Sequence, residues 1–432
     1  MLFEITSSIV AGSLAGYSYY QKSGGGRNDH SKIVNIARNC GLKNKEGKEI
    51  RIHRKSKKNG YTEFVYQMPQ GLSAKDFQDK LDNFQDGLNI KKTIPDISIN
   101  DFKSINWKGD VLQQIKEVFA KKQIVRKEVE ITFDGMLKFR VYDTPMTDLF
   151  PFVETLLRRT KDWEVVIGTT RDKKIKHDFD EIFNMVIAGS PGYGKTVLQK
   201  LITTSLILKH PDHVSFTLID LKGGLAFSRF SKLKQVESLA TDTVSALEKL
   251  QLVEERMEKT LDYLRENEFE DVKEAGMKDR HFIIIDEAAD LSNHQDALDI
   301  IERICAKGRG AGYRVIYCTQ YPINKTIPSS VRQNCDGRVC FKLQTSTASL
   351  AALDEGGAED LPFVRGRAIY KSPHGKMIIQ TPMITNDYIK EVTYPHINIR
   401  PRKENDHTDE KDAEKGTARG SYTLVIEETE LS

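Results

Sequence analysis

From Trp163 onward, short apolar runs alternate with stretches of helical periodicity. Apolar residues recur at helical spacing over Thr243–Glu266, and a second helix is predicted over Thr196–Leu208. Because nearly continuous apolar strands separated by helices are typical of a parallel sheet covered on both faces, the pattern predicts an α/β fold. The candidate strands are Met185–Ala188, Val214–Ile219, Phe282–Ile285, Val315–Cys318 and Arg338–Leu343.

The first half of the chain has a different pattern, which predicts a small α+β domain over residues 61–162. Tyr61–Met68 alternates like a strand, and Ser73 is a suitable N-cap for a helix that runs to about Leu88. Glu128–Phe133 and Leu137–Tyr142 are predicted to form a hairpin. We find no catalytic constellation in this domain.

The remaining segments are predicted as connections and ends. Residues 23–60 contain a glycine-rich break and a basic stretch from Lys43 to Lys58, and they are expected to form a basic linker. Residues 1–22 are mostly apolar or small, which predicts a possible membrane anchor helix; the alternative is a helix buried on the fold or on a partner. Residues 396–432 are strongly polar and are expected to be a disordered tail.

The composition of the chain excludes few classes of function. The net charge of the 432-residue chain is +3, so any contact with nucleic acid has to come from local basic patches. The five cysteines are scattered, without a pattern typical of metal ligands, and are expected to be reduced thiols.

A phosphate-binding loop follows the first predicted strand of the α/β region. Its sequence fits G-x-x-x-x-G-K-[ST] without mismatch and precedes a predicted helix, and such a loop turns backbone N–H groups toward phosphates. The lysine is expected to reach the β and γ phosphates, and the threonine hydroxyl to ligate Mg²⁺. The loop residues are Gly189, Ser190, Pro191, Gly192, Tyr193, Gly194, Lys195 and Thr196. The sequence therefore predicts a P-loop NTPase with a RecA-like parallel sheet flanked by helices, a small N-terminal α+β domain and a disordered C-terminal tail.

An acidic pair follows the third candidate strand. Asp286 is expected to bind nucleotide-associated Mg²⁺ through water, and Glu287 is placed to polarise the attacking water. A solvated acidic helix start is the alternative, but the apolar strand before the pair and the upstream P-loop favour hydrolysis. ATP and Mg²⁺ are the predicted cofactors.

Three further positions are candidates at this site. Gln320 ends a predicted strand, where it can sense the γ-phosphate or only bond to backbone. Arg309 lies in a glycine-rich stretch, expected to be a loop, from which a guanidinium can reach a neighbouring subunit's γ-phosphate; Arg256 and Arg338 are rivals for that role. Asp220 and Lys222 end another strand on the same edge of the sheet. Asp242 is interpreted as a helix N-cap.

In this order, the motifs over about residues 163–385 resemble the FtsK/SpoIIIE family of hexameric DNA-pumping ATPases. Thr319-Gln320 and the later Gly356-Gly357-Ala358-Glu359 are the more specific elements, whereas the P-loop is shared by many motors. The spacing from Arg309 to Gln320 also resembles that of conjugative coupling proteins. Asp220–Gly224 agrees with the coupling ATPases of Gram-positive conjugative plasmids and integrative elements.

The resemblance implies a ring, a hexamer, with ATP at each subunit boundary and DNA in the pore. It also implies conjugation channel proteins and a relaxase as partners, and a motor on the cytoplasmic side of the cell membrane; a cytoplasmic protein is the alternative. Chromosome-segregating members carry several spans and a C-terminal winged-helix reader, whereas one span at most and a polar tail after Arg400 are expected here. A protein-export ATPase and an ATP-binding docking platform remain alternatives.

Overall fold

A computed structural model describes residues 29–397, except 59, 90–92, 96–121, 125–126 and 159. The anchor predicted at residues 1–22 lies outside the described residues, and so does nearly all of the tail predicted at residues 396–432. Within the described ranges, no helix combines the length and the apolar character needed to cross a bilayer.

The small domain consists of α1 (Asp29–Asn39), β1 (Arg51–Lys58), β2 (Tyr61–Gln67), α2 (Ala74–Gln78), α3 (Leu81–Leu88), β3 (Thr93–Pro95), β4 (Lys122–Ile124), β5 (Glu128–Asp134) and β6 (Met136–Tyr142). Four of its strands form an antiparallel sheet in the order β1-β2-β6-β5, and β3 pairs with β4 separately. Phe64, Tyr66 and Phe139 of the central strands are fully buried in its core. The predicted hairpin between β5 and β6 is confirmed, with Gly135 in a left-handed conformation at the turn.

The prediction of a linker over residues 23–60 is wrong for its described part. Ile33 and Ala37 of α1 and Ile50 before β1 are buried in the core of the small domain. Strand β1 pairs with β2 along its length, forms an edge of the sheet and carries five of the basic residues that suggested a linker, Arg51, Arg54, Lys55, Lys57 and Lys58. Exposed positions on an edge strand tolerate charge, so a run of basic residues did not prevent strand formation.

The larger domain contains β7 (Glu164–Thr169), β8 (Lys174–Asp178), β9 (Met185–Ala188), α4 (Lys195–Lys209), β10 (Val214–Asp220), β11 (Val236–Ala240), α5 (Thr243–Glu266), β12 (Arg280–Asp286), α6 (Gln295–Ala311), β13 (Tyr313–Thr319), α7 (Ser329–Gln333), β14 (Gly337–Phe341), α8 (Ser346–Leu353), β15 (Arg367–Ser372), β16 (Gly375–Gln380) and α9 (Asn386–Thr393). Its ten-stranded sheet has the order β11-β10-β12-β13-β9-β14-β15-β16-β7-β8. The six strands from β11 to β14 are parallel, and the rest pair antiparallel.

The predicted α/β fold is confirmed, with a mostly parallel sheet whose parallel strands are covered on both faces. Side chains along the central strand β12 alternate between two buried cores: Phe282 and Ile284 lie in one, and Ile283 and Ile285 in the other. Since β9, β10, β12 and β13 are parallel neighbours or near neighbours, their carboxyl ends share one edge of the sheet. The P-loop and the acidic pair lie at that edge.

Arg367 connects the two domains. Its buried guanidinium donates to the Thr147 carbonyl at 2.9 Å and to the Asp148 carboxylate at 2.8 Å, in the segment that follows β6. It also donates to the Gln380 side chain at 2.9 Å. The neighbouring residue, Gly366, donates its N–H to the P-loop carbonyl of Tyr193 at 2.8 Å. The junction between the domains therefore lies directly beside the P-loop.

Candidate nucleotide site

The P-loop joins the buried strand β9 to the start of α4. Gly189, Gly192 and Gly194 have φ values of 150°, 82° and 121°, which only glycine adopts readily. A Cβ on Gly189 would lie 2.5 Å from the Cβ of Phe341, and one on Gly194 would lie 3.1 Å from the Phe341 ring. The turn therefore depends on glycine for both its conformation and its packing on β14.

Lys195 begins α4 and is buried, with 5% of its surface exposed. Its ammonium donates to the Gly189 carbonyl of its own loop at 2.6 Å. Burial lowers the pKa of Lys195 to about 8, although the carboxylates of Glu287 and Asp286 act in the opposite direction. A buried ammonium of this kind gains stability from an anionic ligand.

Asp286 ends β12 and is also buried. Burial raises the pKa of this carboxyl, and a hydrogen bond from the Gln199 amide at 3.0 Å opposes that change. Gln199 lies one helical turn after Lys195 on α4, so the same helix orients both the ammonium and the carboxylate. Gln199 was not predicted as a site residue; its position four residues after the P-loop lysine was the available signal.

Glu287 is held by its neighbours in a backbone conformation that is uncommon outside glycine, with φ 54° and ψ 52°. Its Oε1 accepts the backbone N–H of Gln320 at 3.1 Å, and its Oε2 lies 3.2 Å from the Lys222 ammonium. Strained conformations of this kind persist where the surrounding structure fixes them, often at functional sites. The carboxylate is thus fixed by two strands adjacent to β12.

Lys222 is positioned by the end of β10. The Asp220 carboxylate accepts the N–H of Lys222 at 3.1 Å and that of Ala226 at 2.7 Å, which folds the following loop. Asp220 is fully buried and pairs in register with Asp286. Asp220 therefore shapes the loop, while Lys222 contacts the acidic pair.

The arrangement fits a magnesium nucleotide. In the described part of the structure, the N–H groups of Gly192, Tyr193 and Gly194 have no protein acceptor, so they are available to phosphate oxygens. Thr196 on the first turn of α4 and Asp286 provide a hydroxyl and a carboxylate, which are oxygen ligands suited to Mg²⁺. The residues present can hold both the phosphates and the cation.

Arg309 is not part of this site. It lies in the last turn of α6 rather than in a loop, and its exposed guanidinium is 4.7 Å from the Phe183 ring centroid. The seven residues of β13 separate it from Gln320, and at ~3.3 Å per residue this strand places the two at opposite edges of the sheet, about 20 Å apart. In the same chain, Arg309 lies far from the P-loop.

The two alternative arginines, Arg338 and Arg256, bond to other residues. Arg338 is buried and bonds to the Asp354 carboxylate and to the carbonyls of Cys335 and Arg332. Arg256 on α5 pairs with Glu237 of β11.

The structure thus brings the P-loop, Asp286, Glu287 and the backbone of Gln320 together, and leaves Arg309 outside. Among the neighbours of the site, Asp242 is confirmed as an N-cap, because its side chain accepts the Ser245 N–H at 2.9 Å.

Residues 158–283 match the FtsK/SpoIIIE family model. The DNA translocase FtsK of Leptospira interrogans is 28% identical over 290 residues, which cover 60% of this chain and 30% of the relative. The DNA translocase SpoIIIE of Bacillus subtilis is 25% identical over 291 residues, which cover 62% of this chain and 36% of the relative. The chain therefore spans about a third of the length of these curated relatives.

Two solved structures are similar in fold. The pCW3 conjugation coupling protein TcpA, in a monomer form with ATPγS, has a TM-score of 0.57 at 17% identity, covering 85% of this chain and 99% of that one. The cytoplasmic domain of the Thermomonospora curvata type VII secretion ATPase EccC has a TM-score of 0.50 at 19% identity, covering 57% of this chain and 33% of that one. The likeness to TcpA therefore includes more of this chain than the ten-stranded sheet and its helices.

Proposed function

Since this chain carries a domain of the FtsK/SpoIIIE family, we propose that it is an ATP-hydrolysing DNA translocase. The observation that carries the proposal is the buried group of Lys195, Asp286 and Glu287 at one edge of the sheet. Such residues bind phosphates and activate water in P-loop ATPases. The relatives named as DNA translocases are similar over 60% and 62% of this chain.

The residues have separate roles in this mechanism. The P-loop N–H groups and Lys195 bind the phosphates and hold the γ-phosphate toward β12. Thr196 and Asp286 would hold Mg²⁺, which neutralises charge on the phosphate oxygens when it is bound. Glu287 accepts a proton from the attacking water, and its two anchors, the Gln320 N–H and Lys222, fix the direction from which that proton is taken.

The position of Arg309 supports a ring-shaped assembly of subunits. Its distance from the P-loop of its own chain and its exposed guanidinium suit a residue that completes the site of a neighbouring subunit. A head-to-tail interface that closes into a ring, such as a hexamer, brings the edge of one sheet that carries Arg309 to the P-loop edge of the next.

We further propose a specific role for this translocase, in conjugation. It is supported by the coverage of the coupling protein TcpA, which reaches the small domain, and by the Asp220–Gly224 element. The protein would then move DNA toward a membrane channel, with a relaxase and channel proteins as partners and residues 1–22 as a membrane anchor. An export ATPase is the second candidate, because the fold also matches that of a secretion ATPase.

ATP turnover in the presence of different substrates tests the proposal. We expect single- or double-stranded DNA to stimulate ATP hydrolysis by the full chain. Stimulation by a secreted peptide, and not by DNA, would favour the export ATPase.

Glu287→Gln separates a motor from a docking platform. The variant keeps the shape of the side chain but cannot accept the proton, so we expect nucleotide binding to persist and turnover to fall by roughly 10³-fold. Transfer of DNA in cells should fail with it. The exposed Glu266→Gln is a matched control that should change neither activity. If Glu287→Gln kept DNA transfer intact, the protein would be a platform and not a pump.

A further inference from the structure

An exposed aromatic side chain lies beside the P-loop. Phe363, in the connection between α8 and β15, is 84% exposed, and its ring centroid is 6.4 Å from that of Tyr193 at an angle of 45°. An exposed aromatic surface next to a phosphate site is available for a planar ligand.

The loop that carries Phe363 is fixed in place. Val364 donates its N–H to the Pro362 carbonyl at 2.8 Å, which closes a three-residue turn around Phe363. Gly366 then donates to the Tyr193 carbonyl at 2.8 Å. The backbone that carries Phe363 is therefore held beside the P-loop by these hydrogen bonds.

Lys342 provides a second attachment. Its backbone carbonyl accepts the Ser190 N–H of the P-loop at 3.0 Å. Its ammonium donates to the carbonyls of Glu359 at 3.0 Å and Leu361 at 2.5 Å, and lies 4.5 Å from the Phe363 ring centroid. The cation occupies one side of the ring, yet most of the side chain remains exposed.

The direction of the bound nucleotide follows from the sheet order. Strand β9 lies between β13 and β14. Asp286, Glu287 and Gln320 lie at or just after the ends of β12 and β13, so the γ-phosphate of a bound nucleotide would lie on that side. A nucleotide that passes through the P-loop therefore extends its nucleoside toward the β14 side, where Phe363 lies.

We propose that Phe363 is the base-stacking residue of this site, with the adenine of ATP against its exposed ring and Tyr193 alongside. This inference rests on the proposed function, since ATP is the nucleotide. Stacking on an aromatic ring tolerates any base, so Phe363 contributes to affinity and discriminates little between ATP and GTP.

Calorimetric titration of the full chain with Mg-ATPγS and with Mg-tripolyphosphate tests the inference, because the second ligand has the phosphates without the base. For Phe363→Ala we expect the Kd of ATPγS to rise about 10-fold, or ~1.4 kcal/mol, with the Kd of tripolyphosphate unchanged. Phe363→Trp should retain ATPγS affinity. Phe133→Ala removes another exposed phenylalanine, in the small domain, and should change neither Kd.

The outcomes distinguish the two proposals. If the unaltered protein binds neither ligand, the proposed function fails and this inference with it. If it binds both ligands equally well, or if Phe363→Ala weakens both by the same factor, only the stacking role is overturned. An unchanged ATPγS Kd in Phe363→Ala, with loss of DNA stimulation or of assembly, would assign the ring to a DNA or subunit contact instead.

Discussion

Two buried charges, one in the small domain and one in the larger domain, differ in their partners. In the small domain, the buried Asp29 carboxylate forms an ion pair with Lys127 at 2.6 Å. In the motor domain, the buried Lys195 has a carbonyl as its hydrogen-bond partner and no carboxylate within ion-pair distance among the described residues. An unpaired buried charge is costly, so its retention indicates that a ligand completes it. The buried charge of Asp29 is thus paired within the small domain, whereas that of Lys195 has no carboxylate partner within ion-pair distance over the described ranges.

Equivalent glycine substitutions should give the largest contrast between the domains. Gly189→Ala adds a Cβ that would lie 2.5 Å from the Cβ of Phe341, at a φ of 150°. We expect nucleotide affinity to fall more than about 100-fold, because the loop cannot keep its shape. Gly47→Ala in the small domain has a φ of 76° and open space around the added Cβ, so it should cost only ~1 kcal/mol of stability and leave affinity unchanged. Titration calorimetry and thermal unfolding measure both; equal effects would contradict the contrast.

Complementation tests whether the motor site is completed by a neighbour. Arg309→Ala and Glu287→Gln should each abolish ATP turnover when pure. In a ring that mixes them equally, a site on an Arg309→Ala subunit next to a Glu287→Gln subunit is complete, so about a quarter of the sites should recover.

The control for this experiment mixes Lys195→Ala with Glu287→Gln. Both changes affect the same chain's half of the site, so no turnover should return. If the Arg309→Ala mixture also stayed inactive although assembled, a trans-acting role for Arg309 would be wrong.

A change in pH is expected to have a moderate effect on nucleotide affinity. The free site lowers the pKa of Lys195 to about 8, and bound phosphates should raise it, so binding takes up a proton once the lysine has lost it. We therefore expect nucleotide affinity to be constant below that pKa and to weaken above it, by up to about tenfold per pH unit. Calorimetry in two buffers of different ionisation heat measures the proton uptake. A flat profile up to about pH 9.5 would show that the lysine stays charged in the free protein.

The smallest effect is expected from the exposed charges of β1. Replacing Arg51 and Lys57 with glutamine should change stability by less than ~0.5 kcal/mol and leave nucleotide affinity alone, since both side chains are exposed on the edge strand. If β1 contacts DNA phosphates, the plot of the logarithm of DNA affinity against the logarithm of salt concentration should be less steep for the double variant, by roughly two units. Fluorescence anisotropy over a range of salt concentrations measures this. An unchanged slope would show that β1 is a solvated face.

Local sequence patterns predicted the centre of the motor well. Helix α5 has the predicted bounds, Thr243–Glu266, because its apolar spacing and the Asp242 cap act within one segment. The P-loop and Asp286 lie at the ends of predicted strands for the same reason.

Long-range packing accounts for what the sequence did not predict. Arg309 was expected in a loop because glycines flank it, but Gly308 lies in helix α6 where an added Cβ would be 3.0 Å from the Cβ of Tyr313. Strands β15 and β16 form a local hairpin, but its place in the sheet depends on the pairing of β15 with β14, which is distant in sequence. No local sequence pattern pointed to Phe363, because the role proposed for it depends on how close its ring lies to that of Tyr193, which is distant in sequence.

The two residues Gly366 and Arg367 have a mechanical consequence. One is bonded to the carbonyl of the P-loop residue Tyr193, and the other holds Thr147 and Asp148 at the end of the small domain. Because Gly366 and Arg367 are consecutive, one peptide unit joins the hydrogen bond to the P-loop with those to the segment after β6. A shift of the Tyr193 carbonyl would therefore reach the segment after β6 across only two residues of the chain.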